Sequence, residues 1–266
     1  MEPASHDAYA PAEIAHLVEN IGVRKAELPF VPLTVLGVLA GAFIAFGAMF
    51  FTTTVTGSTA GFGFTRVIGG LAFSLGLVLV LVAGAELFTG NILIVMAWAD
   101  RKVTSSRLLR NWGVIYVANF IGAAAMAQMF VWSGLLSLGN GAVGDTAAAI
   151  AGGKVTIPWF EAFMRGVLCN TLVCLAVWLS LSARTVSGKT LAIVFPITAF
   201  VVLGFEHSVA NMYFLSLGWL LDVDGVTLAA IAGNLIPVTL GNILGGAVFV
   251  ALVYWLVYLR PQDPAA

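Results

Sequence analysis

The chain has 266 residues, of which 60% are hydrophobic and 9% charged, and its formal net charge is −1. A soluble domain carries about 25% charged residues, so this composition, with a mean hydropathy of +1.01, describes a polytopic helical membrane protein with little polypeptide outside the bilayer. Long continuous apolar runs exclude a transmembrane barrel, whose strands alternate, and the lack of a basic tract leaves no footprint for nucleic acid.

Residues 1–28 are polar and carry Glu2, Asp7, Glu13, Glu19 and Glu27, so no cleavable signal peptide is expected there. Ile14, Leu17, Val18 and Ile21 keep helical spacing. The stretch reads as a short amphipathic helix at the membrane surface or as a partly ordered tail. Six apolar segments follow: Phe30 to Phe51, Val67 to Ala99, Trp112 to Leu136, Trp159 to Ser182, Thr190 to Leu221 and Val226 to Leu259. A Thr/Gly-rich stretch joins the first two, a basic loop the next two, and a Gly/Ala-rich loop with Asp145 and Lys154 leads to Pro158 and the fourth. This divides the chain into an N-terminal cytoplasmic or interfacial segment (1–28), a transmembrane pore domain (29–260) and a cytoplasmic tail (261–266). Nine Lys and Arg residues lie on the N-terminal side and three (Arg66, Lys154, Arg165) on the other. The positive-inside rule then predicts both termini in the cytoplasm.

Three successive segments echo three later ones. Lys25, Pro29 and Gly37 are matched by Lys154, Pro158 and Gly166, and Asn111 and Asn119 by Asn234 and Asn242. Between them the frame Gly-x-Glu-x-x-x-small-Asn occurs twice, from Gly84 to Asn91 and from Gly204 to Asn211. An odd number of spans per repeat inverts one half against the other, which places a site where the halves meet near the midplane. Each kernel lies inside an apolar run of roughly 32 residues, about 48 Å as one helix against about 30 Å of hydrocarbon. Both runs are therefore expected to break at the kernel. The expected fold is an all-α membrane protein with six transmembrane helices as an inverted 3+3 repeat, the second and fifth broken.

Polar groups in lipid mark candidate sites. His207 lies outside the polar N-terminal segment, inside the second kernel, and is read as a proton or hydrogen-bond donor to a passing solute. Thr89 could turn its hydroxyl into the path, or bond back to its own helix. Glu86, Glu206, Asn91 and Asn211 are read as structural groups that pin the broken helices. Lys25 and Lys154, just outside matched segments, either draw anions to a mouth or anchor at the interface. Phe73, Leu77, Leu87 and Phe200 have the spacing of core or lipid-facing residues. Glycines at 37, 41 and 47 and at 241, 245 and 246 suit close helix packing. Cys169 and Cys174 share no helix face, which argues against an internal disulfide, and no metal cluster or cofactor motif is visible. No nucleophile–base constellation favours a membrane enzyme.

The texts Gly84-Ala-Glu-Leu-Phe-Thr89, Cys169 to Trp178, Gly204-Phe-Glu-His-Ser-Val-Ala-Asn-Met212 and Asn234 to Gly246 resemble the formate/nitrite transporter family. The resemblance spans about Ala26 to Arg260. It implies a homopentamer of aquaporin-like protomers in a bacterial inner membrane, passing formate, nitrite, hydrosulfide or similar small monovalent anions or their conjugate acids. It implies His207 as the central pore donor with Thr89 across from it. Leu87 with Phe200, and Phe73 with Leu77, become two apolar constrictions. Lys154 and Asn170 become vestibule residues, and Glu206 a structural acid. The short link Asp222 to Gly225 and the Thr89-Gly90-Asn91 ending of the first kernel leave formate, nitrite and hydrosulfide open.

Energetics frame the mechanism. Desolvating a bare anion costs several kcal/mol, and on the order of 20 in the idealised limit. Protonating a carboxylate of pKa about 4 at pH 7 costs about 4 kcal/mol. The expectation is capture as an anion, proton pickup near the constriction, and release by deprotonation, with His207 either the direct donor or a dipole that helps a water donate. An anion channel without proton coupling is the alternative.

Overall fold

A computed structural model describes residues 8–260; Glu2, Asp7 and the expected tail 261–266 lie outside the described residues. Ten main helical elements organise the described residues. They are α1 (Pro11–Glu27), α2 (Phe30–Val55), α3 (Phe62–Gly84), α4 (Phe88–Ala99), α5 (Ser105–Trp132), α6 (Ala142–Val155), α7 (Trp159–Ser182), α8 (Val186–Leu203), α9 (Ser208–Leu220) and α10 (Leu228–Tyr258). Six of them, α2, α3, α5, α7, α8 and α10, are long and apolar enough to cross a membrane. The second and fifth apolar runs do break: α3 stops at Gly84 before α4, and α8 stops at Leu203 before α9.

The breaks have a local cause. Gly84 (φ 91°) and Gly204 (φ 72°) both take left-handed backbone, which ends the preceding helix at little steric cost. Ala85 and Leu87 in the first break, and His207 in the second, are extended.

The two halves repeat one packing scheme. Helix α2 lies along α5, and α7 along α10. Gly41 sits on the backbone of Asn119 and Ala123, and Gly122 on that of Val38. In the second half Gly241 sits on Phe163 and Val167, and Gly245 on Val167. Any side chain at these glycines would drive the paired backbones apart. Large apolar residues such as Phe30, Phe46, Phe195 and Phe249 face outward, as lipid or a neighbouring subunit requires.

The Gly/Ala-rich loop expected before Pro158 is instead helix α6. Its run of alanines has high helix propensity, and Val143, Ala147 and Ala151 form a buried stripe at i, i+4, i+8. Helix α6 precedes the second half as α1 precedes the first, so each repeat is longer by one helix than hydropathy suggested. The third apolar segment also begins earlier than expected, at Ser105. Thr104 caps that end, its Oγ1 accepting from the Arg107 N–H.

Helix α1 is ordered and packs on α4 and the adjoining ends of α5, α7 and α10. It buries Ile14, Ala15, Val18, Gly22 and Ala26, and also Glu19. Glu19 pairs with Lys102 at 2.6 Å, and Lys102 with Asp100 at 3.1 Å.

Candidate functional site

The breaks are held open by two asparagines from facing helices. In the first half the Asn119 side-chain amide donates to Gly37 O (2.7 Å) and Glu86 O (3.0 Å), and its Oδ1 accepts from Phe88 N–H (2.9 Å). In the second half Asn242 donates to Gly166 O (2.9 Å) and Glu206 O (3.0 Å) and accepts from Ser208 N–H (2.9 Å). A primary amide offers two N–H donors and a separate carbonyl acceptor on one short stem, which serves the three backbone groups that each unwound segment leaves to it. The sequence marked both residues as repeat mates; their task needed the fold.

A second mirrored network surrounds each acid. Lys25 Nζ donates to Glu86 (2.8 Å) and to Asn91 Oδ1 (3.0 Å). Asn91 donates to Glu86 (2.7 Å) and Asn111 (3.0 Å), and Asn111 closes the ring by donating to Lys25 O (2.9 Å). In the other half Lys154 Nζ reaches both Glu206 oxygens (2.9 and 3.0 Å), and Asn211 donates to Glu206 (2.6 Å) and Asn234 (2.8 Å). Asn234 in turn donates to Lys154 O (2.9 Å). The acids accept from lysine and asparagine side chains rather than from backbone N–H groups. Lys25 and Lys154 are bound within these rings instead of reaching up to an interface.

The kernels meet at His207 and Thr89. Thr89 Oγ1 lies 2.9 Å from His207 Nε2. His207 Nδ1 accepts the N–H of Ala210 at 3.1 Å, so the imidazole is the N-cap of α9. Nδ1 is thereby committed as an acceptor, and the neutral ring carries its hydrogen on Nε2 and donates to Thr89. The Phe200 ring stacks beside the imidazole, centroids 6.0 Å apart, and Phe73 meets Phe200 edge-on at 5.5 Å.

Two cavities flank this point. One, of about 360 Å³, is lined by Leu77, Val80, Leu87, Glu86, Asn91 and Lys189 and is covered by Val18, Ile21 and Lys25 of α1. The other, of about 240 Å³, is lined by Phe73, Phe200, His207, Lys154, Arg66 and Phe214. The apolar residues therefore group differently from the expected pairs. Leu77 and Leu87 line the first cavity, and Phe73 and Phe200 the second. The reason is the inverted repeat: Leu87 and His207 are equivalent in the two breaks, so each faces the opposite side.

Asn170, expected in a vestibule, lies elsewhere. It is fully buried on α7, donating to Thr89 O (3.2 Å) and Asn242 O (2.7 Å). It braces the Thr89 turn from behind. Arg66 and Lys189, which line the cavities, carried no sign in the sequence beyond their charge.

Two half-helices broken at a shared buried hydrogen bond, with a cavity on each side, define the protomer of a membrane channel or transporter. A profile of the Formate/nitrite transporter family matches residues 12–256. The formate channel FocA of Haemophilus influenzae is 40% identical over 265 residues, covering 92% of this chain and 93% of its own. The probable formate transporter of Methanothermobacter thermautotrophicus is 42% identical over 270 residues, covering 94% and 97%. A solved pentameric formate channel with formate bound aligns with a TM-score of 0.80 at 38% identity, over 86% of this chain and 97% of that one. A solved FNT family ion channel aligns with a TM-score of 0.85 at 30% identity, over 92% and 98%. The chain belongs to the formate/nitrite transporter family, a family of transporters rather than enzymes.

Proposed function

We propose that the chain is a channel for small monovalent anions, with formate as its substrate, assembled as a homopentamer in a bacterial inner membrane with both termini cytoplasmic. The observation that carries this reading is the Thr89–His207 hydrogen bond, set between two cavities, one lined by Leu77 and Leu87 and the other by Phe73 and Phe200. Formate as substrate rests on the relatives, which are named as formate channels. The pentamer rests on the solved pentameric relative; light scattering in detergent would return five times the 27.9 kDa chain.

The path is short and mostly apolar, so the anion's desolvation is the barrier. The N-terminal ends of α4 and α9 point at the kernel and offset part of it. His207 acts as a neutral donor. A solute entering the kernel takes the Nε2–H bond that Thr89 otherwise accepts. Removing that hydrogen outright would leave an imidazolate, which a carboxylate is far too weak a base to produce. Loading the ring with a second proton would put a hydrogen on Nδ1 against the Ala210 N–H, breaking the cap of α9. The proton therefore comes from the bulk on the entry side, carried as hydronium and relayed through water to the carboxylate, with the imidazole as the dipole that positions the acceptor. The solute then crosses as the neutral acid, and proton and formate move together.

Proteoliposomes given formate, nitrite, hydrosulfide, acetate and lactate, with internal pH followed during uptake, test this. The expected result is formate uptake with a stoichiometric internal acidification. Current following the formate gradient with no pH change would establish the uncoupled anion channel instead. His207→Asn keeps both an acceptor for Ala210 and a donor, so co-transport should survive. His207→Leu should lose roughly ten- to a hundredfold in rate, from about 1–3 kcal/mol of orphaned hydrogen bonding. Loss of acidification with retained formate current in His207→Asn would restore the direct-donor mechanism.

A further inference from the structure

Each cavity holds one lysine that is tied up and one cation that is not. In the larger cavity Lys25 is paired with Glu86 at 2.8 Å; in the smaller, Lys154 is paired with Glu206 at 2.9 Å. Each pair is an ion pair of zero net charge, with the carboxylate on the kernel side of the chain. From the cavity such a pair is a dipole, and its field falls off faster than that of a single charge. The remaining ionised lining residues are Lys189 in the larger cavity and Arg66 in the smaller. Neither has a carboxylate partner among the described residues. Among the described residues Arg66 donates only to the carbonyls of Val201 (2.9 Å) and Val202 (3.0 and 3.2 Å) at the end of α8. Lys189 makes no side-chain hydrogen bond among the described residues, and its backbone N–H donates to Thr185 O.

We propose that Lys189 and Arg66, rather than the lysines of the two networks, are the charges that capture the anion, one in each cavity. The paired lysines hold the kernels in shape. The balance supports the division: each cavity carries two cations and one acid, so one unit of positive charge remains at each mouth. That charge raises local anion concentration on both sides and gives access in either direction. The two residues are not repeat mates, so the shared outcome was reached from different positions in the two halves.

This inference rests on the anion reading above, and its test separates the two. Formate uptake into vesicles of known orientation is measured against concentration at low and at about 1 M salt, where screening shortens the Debye length to about 3 Å. Lys189→Gln should raise KM about threefold at low salt from the α1 side, consistent with the modest end of electrostatic steering, and leave the maximal rate. Lys189→Glu should raise it further, Lys189→Arg should restore it, and high salt should erase the differences. Arg66→Gln should act from the opposite side. Because Arg66 also caps α8, Arg66→Lys is the arm that keeps the charge while loosening the cap, and its KM should stay near that of the parent. If Lys189→Gln and Lys189→Glu match the parent at low salt while the parent transports, the inference fails and the transport reading stands. If the parent moves none of the offered anions, the transport reading itself fails.

Discussion

At the scale of single residues, His207 is bound on both sides: Ala210 holds Nδ1 and Thr89 holds Nε2. Thr89 is the replaceable partner, because a solute oxygen can occupy the same position. Thr89→Val keeps the shape and removes the acceptor, leaving a buried donor without a resting partner. The expected outcome is a channel that folds, as judged by its elution as an oligomer, and transports roughly tenfold more slowly, for about 1–3 kcal/mol at the kernel. Parent-like uptake by Thr89→Val would remove the hydroxyl from the mechanism. Asn170 shows how burial changes a role. Its amide reaches the Thr89 carbonyl, not the solute, so it fixes where the hydroxyl points.

At the scale of elements, glycines decide whether the halves can close. Gly245 lies against Val167, where α10 crosses α7, and one turn earlier on the same face Asn242 donates to Gly166 O of α7 and holds the second break. Gly245→Leu would separate the two helices and pull Asn242 away from Glu206 and Ser208. Overpacking costs about 1–3 kcal/mol, and the freed backbone groups add to it. The expected result is loss of the folded oligomer in size exclusion. Helix α1 is held by a different force. Burial pushes the Glu19 carboxyl up, the hydrogen bond from Lys102 draws it back, and that same bond raises the Lys102 ammonium above its usual range. A raised Lys102 contributes stability that is present below its unfolded pKa and lost as pH rises through the folded one. The Lys102 share of α1 docking should therefore persist through neutral pH and be lost only in strong alkali, whereas burial of Glu19 favours docking most in acid and gives up that share as pH rises through its raised value. Lys102→Met should loosen it at pH 7 by about 1 kcal/mol, well under the buried-pair range because Lys102 is 47% exposed. Faster amide exchange over Pro11–Glu27 in Lys102→Met is the measurement; unchanged protection would show that the apolar face alone holds the helix.

At the scale of the whole molecule, duplication explains both the likeness and the difference between the two mouths. The structural rings repeat residue for residue: Lys25, Glu86, Asn91 and Asn111 against Lys154, Glu206, Asn211 and Asn234. The working positions do not repeat. Where the second break has His207 the first has Leu87, and where the first has Thr89 the second has Val209. The scaffold is thus symmetric and the kernel asymmetric, so one donor and one acceptor meet instead of two copies of either.

Much of this was readable without coordinates. Hydropathy located the spans, run length required two breaks, and the doubled Gly-x-Glu frame placed them, because lipid penalises any polar group that lacks a purpose. The folded chain alone decided the rest. Helix α6 was hidden because a Gly/Ala composition suits loop and helix alike until Val143, Ala147 and Ala151 find a surface to bury against. The contact of Thr89 with His207, the withdrawal of Asn170, and the side each apolar residue faces depend on how two inverted halves interlock. Residues more than a hundred positions apart meet there, and no local pattern encodes the distance between them.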